Sequence, residues 1–530
     1  IKKTKENKVF KVKTKRTNLK FKNQKSSMLY YQSSFIFFIF TFTKTILMRY
    51  YLTLLLAITL MIFSSCRKDF SVNLSSGNLT FSKDTVYLDT VFTNIGSSTY
   101  NLKVYNKSNH AISIPSVKLG KGEDSFYRLN VDGTPGKIFE DVEILAKDSI
   151  YIFIETTIDY NQVTNPIYED SIVFDTGENS QDVKLITLVE DAYFLFPSKN
   201  ATGLIETINI GIDTEGEEIN VNGFYLNDDT TFSNEKPYVI YGYCAVPKNK
   251  TLTIEAGATI HFHSNSGLIV DKNATLIIEG ELNNEVLIEG DRLETQFSNI
   301  PGQWGAIWLR AGSKNHNINY AIIKNASAGI IMDSIGSNTI PTLTIKNTQI
   351  YNSSNFGILG RETNIKGENL VINNSGQSSL ACIIGGTYNF THSTFVNFWN
   401  NSFRQYPSVL INNFFAYSEN NTQVVETRDL LAANFTNCII DGSNNLELTI
   451  DKVEGLQFNY SFKNNFIRFN DINNSYIDIP EYNFEDENHY SGNILNGNAD
   501  FKSPYSNELI IGENSEAIQN ANIYGTLLVP

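Results

Sequence analysis

Residues 343–375 read LTIKNTQIYNSSNFGILGRETNIKGENLVINNS. Twice in this stretch an apolar residue is followed two places later by asparagine, at Ile350/Asn352 and at Val371/Asn373. Related phrases occur at Ile323/Asn325, Phe395/Asn397, Phe415/Tyr417, Ile439/Asp441 and Phe462/Asn464. Their polar members lie 20 to 27 residues apart. That period is short for most helical-pair repeats and suits one turn of a β-solenoid.

Positions two apart on a continuous strand face the same way, so the apolar residue and the Asn would be equivalent if the strand ran through both. Their chemistry differs, which predicts that each strand ends at the Asn, a residue that tolerates the left-handed backbone needed to turn a corner. Each turn would then stack apolar side chains inside (Val371, Phe395 and Phe415 in succession) and place Asn over Asn at the corner. An antiparallel sandwich with Asn-rich loops is the alternative, but it does not explain a fixed column over seven units.

Upstream, residues 251–290 (TLTIEAGATIHFHSNSGLIVDKNATLIIEGELNNEVLIEG) alternate short Ile/Leu/Val/Thr strands with Gly- and Asn-centred turns. They resemble the opening coils of right-handed parallel β-helix proteins exported by Bacteroidetes-type bacteria. Gly302-Gln303-Trp304-Gly305-Ala306-Ile307 is similar to the G-x-W-G-G-I element of that family, with Ala306 replacing a Gly. The stretch from Tyr505 through Ser515-Glu516-Ala517-Ile518 to Gly525 is similar to its closing phrase. The resemblance covers about 200–530 and implies a β-helix domain there. It says little about activity, since the family hosts lyases, hydrolases, adhesins and non-catalytic binders.

Residues 75–190 have a different texture. Thr85–Leu88, Leu102–Tyr105, Ile112–Ile114 and Ile150–Ile154 are short alternating strands separated by turn signals, the pattern of an antiparallel sandwich. Asp89–Gly96, continuing into Leu102–Asn106, is similar to immunoglobulin-like domains of cilium and centrosome proteins and their bacterial relatives. That resemblance implies a spacer or docking module. The turn-rich break Phe196–Asn200 suggests a boundary near 190–200. The expected fold is therefore all-β, an immunoglobulin-like sandwich followed by a right-handed parallel β-helix.

At the front, Met48-Arg49 opens a basic start, Tyr50–Phe63 is an apolar run too short for a membrane span, and Ser64-Ser65-Cys66 follows. This is similar to a lipoprotein signal peptide at 48–65, with Phe63 where Leu is usual. The resemblance implies lipidation of Cys66, a linker at 66–74 and anchoring in the outer membrane. Lys68-Asp69 resembles part of a tag that routes such lipoproteins to the cell surface. The lysine-rich residues 1–47 read as a non-native upstream extension.

Residues 1–65 hold thirteen Lys or Arg and one acid, so residues 66–530 carry 29 basic against 55 acidic groups, a net of −26. Such a surface repels phosphate backbones and argues against nucleic acid as a partner. Polyuronates are disfavoured unless calcium intervenes. Past Cys66 only Cys244, Cys382 and Cys438 remain, an odd count with no disulfide framework. Cys382 and Cys438 are expected as interior fillers, with a bridge between coils as the alternative.

Chemistry is sparse, and the expectation is no catalytic set, no metal site and no cofactor, with calcium the weaker option at Asp228-Asp229 or at 485–487 around Asp486. A lyase would need clustered carboxylates with a basic residue nearby, but Arg310, Arg361 and Arg404, and Lys324, Lys346 and Lys366, do not align on the Asn phrases. Asp333, Glu362 and Glu368 are the nearest candidates for a glycosidase pair, with Glu362 and Glu368 expected as solvated turn residues. His261 and His263 share a strand face and could reach one metal, though exposed strand histidines are the favoured reading. Trp304, Trp308, Trp399 and Tyr406 could stack on sugar rings, with packing favoured. The expected function is a monomeric surface lipoprotein binding polysaccharide or other cell-surface ligands. The alternative is a lyase or glycoside hydrolase on the same scaffold.

Overall fold

The computed structural model describes residues 72–213, 215–334, 340–419, 422–518 and 521. The extension 1–47, the signal peptide 48–65, Cys66, Lys68-Asp69 and the end of the closing phrase lie outside the described residues. The described chain consists of strands, turns and short 3-10 helices, with no α-helix among the described residues. None of its helices is long and apolar enough to cross a membrane. The described residues from Asn73 onward belong to one compact unit.

From Thr80 to Glu190 the chain builds two sheets around one apolar core. One contains Thr85–Phe92, Gln181–Glu190, Ile167–Phe174, Ala111–Leu119 and Ile138–Ile144; the other contains Thr80–Phe81, Tyr100–Tyr105, Ser149–Thr156, Tyr127–Val131 and Thr134–Gly136. Alternation explains the layering. In Ser149–Thr156, Ile150, Ile152 and Ile154 point into the core while Tyr151 and Phe153 stay exposed. Each such isoleucine contributes about 1.5–3 kcal/mol by leaving water. The ladders are antiparallel except that Thr85–Phe92 runs parallel to Gln181–Glu190.

Beyond this the chain alternates between two long sheets, one of 11 strands and one of 18, stacking coil upon coil with mostly parallel pairing. Parallel pairing begins with Tyr193–Leu195 against Tyr238–Ile240, so the stack starts slightly before residue 200. An antiparallel hairpin, Thr207–Ile212 with Glu218–Tyr225, lies against its first coils and buries Ile208 with Ala245 and Ile269. The two-sheet unit sits on the same end. The Phe92 ring meets Phe194 and His261, and Ser98 hydrogen-bonds Glu294, which is also held by Arg292.

The interior columns run in strict register. Ile288, Ile323, Ile350, Ile372, Phe395, Ile440 and Ile467 pair in succession on one sheet. On the other, Ile345, Gly367, Phe390, Phe435, Phe462 and Tyr490 do the same. Phe435 and Phe462 stack at 5.0 Å with planes 5° apart. Gly367 lies where the column changes from Ile to Phe; a Cβ there would strike the Phe390 ring.

These registers correct the expected column at four members. Ile372, not Val371, is the inward residue of its coil, and Ile440, not Ile439, the inward residue of another. Phe462 is buried but belongs to the second sheet. Phe415/Tyr417 is not a coil at all. It lies on an antiparallel hairpin, Phe414–Glu419 with Thr422–Thr427, that leaves the stack and exposes Phe415. The next inward residue after Phe395 is therefore Ile440, 45 residues on. That gap is nearly twice the 23 residues from Ile372 to Phe395, so a period count reads the hairpin excursion as one more coil.

The corner chemistry follows expectation in part. Asn325, Asn352 and Asn464 adopt φ of 66°, 57° and 55°. In the Val371 phrase Asn374, at φ 57°, turns the corner rather than Asn373. Buried amides form a ladder, Asn374 Nδ2 donating to Asn352 Oδ1 at 2.7 Å and Asn352 Nδ2 to Asn325 Oδ1 at 3.2 Å. Asn373 and Asn397 instead bond backbone off the ladder: Asn373 Nδ2 donates to the Pro504 carbonyl and Asn397 Nδ2 to that of Ser375. The segment around Pro504 thus folds back along the side of the stack, with Tyr505 edge-on to Phe398.

Candidate binding face of the coil stack

The outer face of the 18-stranded sheet carries three parallel rows. Nearest the strand starts, Tyr243 is in register with Gly267, Ala306 with Ala328, and Ala328 with Phe356. The middle row is apolar: Ala245, Ile269, Trp308, Ile331, Leu359 and Ala381. The third, at the strand ends, is charged.

Small residues at Gly305, Ala306 and Ala328 leave a trough of about 410 Å³ between Tyr243 and Phe356, walled by Ile331 and Leu359. A Cβ on Gly267 would come within 2.8 Å of the Tyr243 ring, so that ring lies across the glycine. Burial pushes the Tyr243 hydroxyl up from its ordinary pKa, which keeps it a donor at neutral pH. Ser264, Asn265, Ser327 and Asn355 supply polar atoms along the rim.

The charged row brings together residues that sequence alignment on the Asn phrases left apart. Arg310 bonds Asp271 at 2.9 Å, and Arg361 Nε bonds Asp333 at 2.7 Å. Asp333 also accepts from Trp308 Nε1 at 2.7 Å. Arg310 and Arg361 therefore do share a repeat position, one residue past Leu309 and Gly360, which both flank Met332. Register follows the strand ends, which the Asn phrases mark on a different side of the coil.

The other charged candidates are also paired, except Lys366, which is exposed. Glu362, expected in a solvated turn, is half-buried, faces Arg428 and accepts from Ser334; Glu368 pairs with Lys346 at 2.7 Å, and Lys324 with Glu289 at 2.8 Å. Arg404 is buried and forks onto Glu447 at 2.6 and 2.9 Å. Burial pushes the Glu447 carboxyl up, while Arg404 and the backbone N–H groups of Asn444 and Ser408 pull it down toward the ionised form. This pair fastens the 398–408 loop to the stack.

His261 is buried rather than exposed, its Nδ1 3.1 Å from the Gly290 carbonyl under Phe92. His263 is half-exposed, with Nδ1 2.6 Å from Asp291. The two rings do not converge on a common ligand, because strand Thr259–Phe262 ends between them. Among the described residues no group of three His, Cys, Asp or Glu converges on a metal position. Asp228 is bonded by Lys250, and Asp486 accepts from Asn488.

Trp304 is buried and stacks on Phe262 at 4.8 Å, a packing role; Trp399 bonds Ser402 at 3.0 Å, and Tyr406 is exposed. Cys244, Cys382 and Cys438 are free and buried, and burial pushes the Cys244 and Cys438 thiols up to about 12. Tyr243 and Phe356 were not singled out from sequence. Their signal was an outward position opposite Gly or Ala in register, which becomes visible only once the coils are aligned.

No family model matches the chain, and no curated protein matches it. Among solved structures, one similar chain is a family 123 glycoside hydrolase from Clostridium perfringens, whose report concerns glycolipid glycan hydrolysis. It is 10% identical over 22% of this chain and 30% of its own, with a TM-score of 0.16. This chain thus spans less than a third of that enzyme, and a likeness of that size carries no argument about fold or activity.

Proposed function

We propose that this protein is a surface lipoprotein, anchored through Cys66, in which an immunoglobulin-like domain carries a right-handed parallel β-helix that binds neutral glycans without cleaving them. The observation that carries the reading is the trough between Tyr243 and Phe356. Ring faces at each end and a floor of small residues suit a sugar chain, whose C–H faces cover aromatic rings while hydroxyls meet amide and hydroxyl groups. The net charge of −26 favours neutral over anionic polysaccharide.

Glycan cleavage on the same scaffold is the second reading. A glycosidase needs two carboxylates facing one bond, and a lyase needs a free base. Here Asp333, Glu362, Glu368 and Glu447 each serve a basic partner, which favours binding over hydrolysis. The test is incubation of the purified protein with neutral plant, algal and animal polysaccharides. Expected is retention on at least one of them, weakened about tenfold by Tyr243→Ala or Phe356→Ala, in keeping with ~0.5–1.5 kcal/mol for an aromatic contact beyond its area. New reducing ends or unsaturated products would instead establish the enzymatic reading.

A further inference from the structure

A second, larger opening lies where the two-sheet unit meets the first coils. It is a cleft of about 800 Å³, within the usual range for small-molecule sites. Its apolar wall comes from Ile95, Phe194, Phe196, Pro197, Ile205 and the ring of Tyr241. Phe196 and Ile205 are 64% and 42% exposed, so this wall is open to solvent rather than filled by the chain.

The opposite side is polar and held in place. Tyr241 lies on His263 at 4.6 Å, and His263 Nδ1 is fastened to Asp291 at 2.6 Å, leaving Nε2 for a ligand. Asn265, at φ 57°, completes the corner beside it. Burial pushes the Tyr241 hydroxyl up, with Asp291 adding to the effect, so it remains a donor. Lys199, at the exposed rim, is the one Lys, Arg, Asp or Glu on the lining.

We propose that this cleft binds a neutral amphipathic glycoside, its apolar aglycone against Ile95, Phe194, Phe196 and Ile205 and its sugar toward Asn265, His263 and Tyr241. The apolar wall is too extensive for a bare sugar, and the polar corner is needless for a bare hydrocarbon. The acidic chain disfavours an anionic head group. The site is separate from the trough, although Ser264 and Asn265 border both. It therefore stands whether or not the trough binds glycan.

The test is calorimetric titration of the full protein with octyl β-D-glucopyranoside below its micellar threshold, with methyl β-D-glucopyranoside and octanoate as comparison ligands. Expected is one saturable site for octyl glucoside, with methyl glucoside and octanoate each at least tenfold weaker. Phe196→Ala and Ile205→Ser replace exposed side chains and leave folding intact; each should weaken octyl glucoside at least fivefold, while Tyr243→Ala leaves it unchanged. No saturable binding, equal binding to the Phe196 and Ile205 variants, or octanoate binding as tightly as the glucoside would overturn the proposal.

Discussion

The residues most suggestive of chemistry in this chain are used for holding it together. Arg404 is the clearest case: its guanidinium bonds Glu447 twice and also the carbonyls of Tyr406 and Asn397. Arg404→Met strands a buried carboxylate and should cost about 3–5 kcal/mol, whereas Arg404→Met with Glu447→Met should recover much of that loss. Denaturant unfolding of the two variants checks this; equal losses would refute the pairing argument. His316 behaves differently because it is buried without a carboxylate. Its Nδ1 accepts from the Leu276 N–H at 3.0 Å, Nε2 lies 3.0 Å from Ser313 Oγ, and burial lowers its pKa to about 3. With the folded pKa below the unfolded value near 6.5, the unfolded chain binds the extra proton between these limits. Stability contributed by neutral His316 is complete above about pH 6.5 and falls on acidification by about 1.4 kcal/mol per pH unit. Thermal unfolding between pH 7 and pH 5 should therefore be less pH-dependent in His316→Gln than in the parent protein, and an unchanged slope would contradict this.

At the scale of elements, the stack is held by side-chain columns that repeat from coil to coil. Phe395 sits between Ile372 and Ile440 and touches Phe390 and Phe435 edge-on, at 5.1 and 6.0 Å. Phe395→Asp puts an unpaired carboxylate into that interior and should cost several kcal/mol, while Phe395→Leu should cost about 1 kcal/mol. Because coils contact mainly their neighbours, proteolysis of the Asp variant should begin between 372 and 440 and spare 80–190. Wild-type thermal stability in Phe395→Asp would show that the register is wrong. Phe415, at the same place in the repeat phrase, provides the contrast. It is 46% exposed on its hairpin, so Phe415→Asp should leave thermal stability within about 0.5 kcal/mol of the parent.

At the scale of the whole molecule, the proposed anchor lies beyond the described residues and is argued from the Ser64-Ser65-Cys66 context. Cys66→Ser should release the protein from membranes into the soluble fraction; a variant that still sediments with outer membranes would remove the anchor. The two-sheet unit covers His261 and the first coils on one sheet, and the segment around Pro504 covers Asn373 further along the same sheet. The trough opens on the other sheet, between Tyr243 and Phe356.

Much of this was legible in the sequence because strand chemistry is local. The Ile/Val-rich runs separated by Asn and Gly predict short strands and corners, and Asn325, Asn352 and Asn464 take the left-handed backbone that their side chains favour. The alternation of Ile150, Ile152 and Ile154 marks the two-sheet unit equally well. Register was decided only by the tertiary structure. A shift of one residue exchanges Val371 for Ile372, both apolar, and local sequence does not distinguish them; only packing against Ile350 and Phe395 does. The hairpin at Phe415, the alignment of Arg310 with Arg361 and the facing of Tyr243 with Phe356 follow from that register. Each depends on which residues of distant coils lie side by side, and that is set by closure of the whole stack rather than by any one coil.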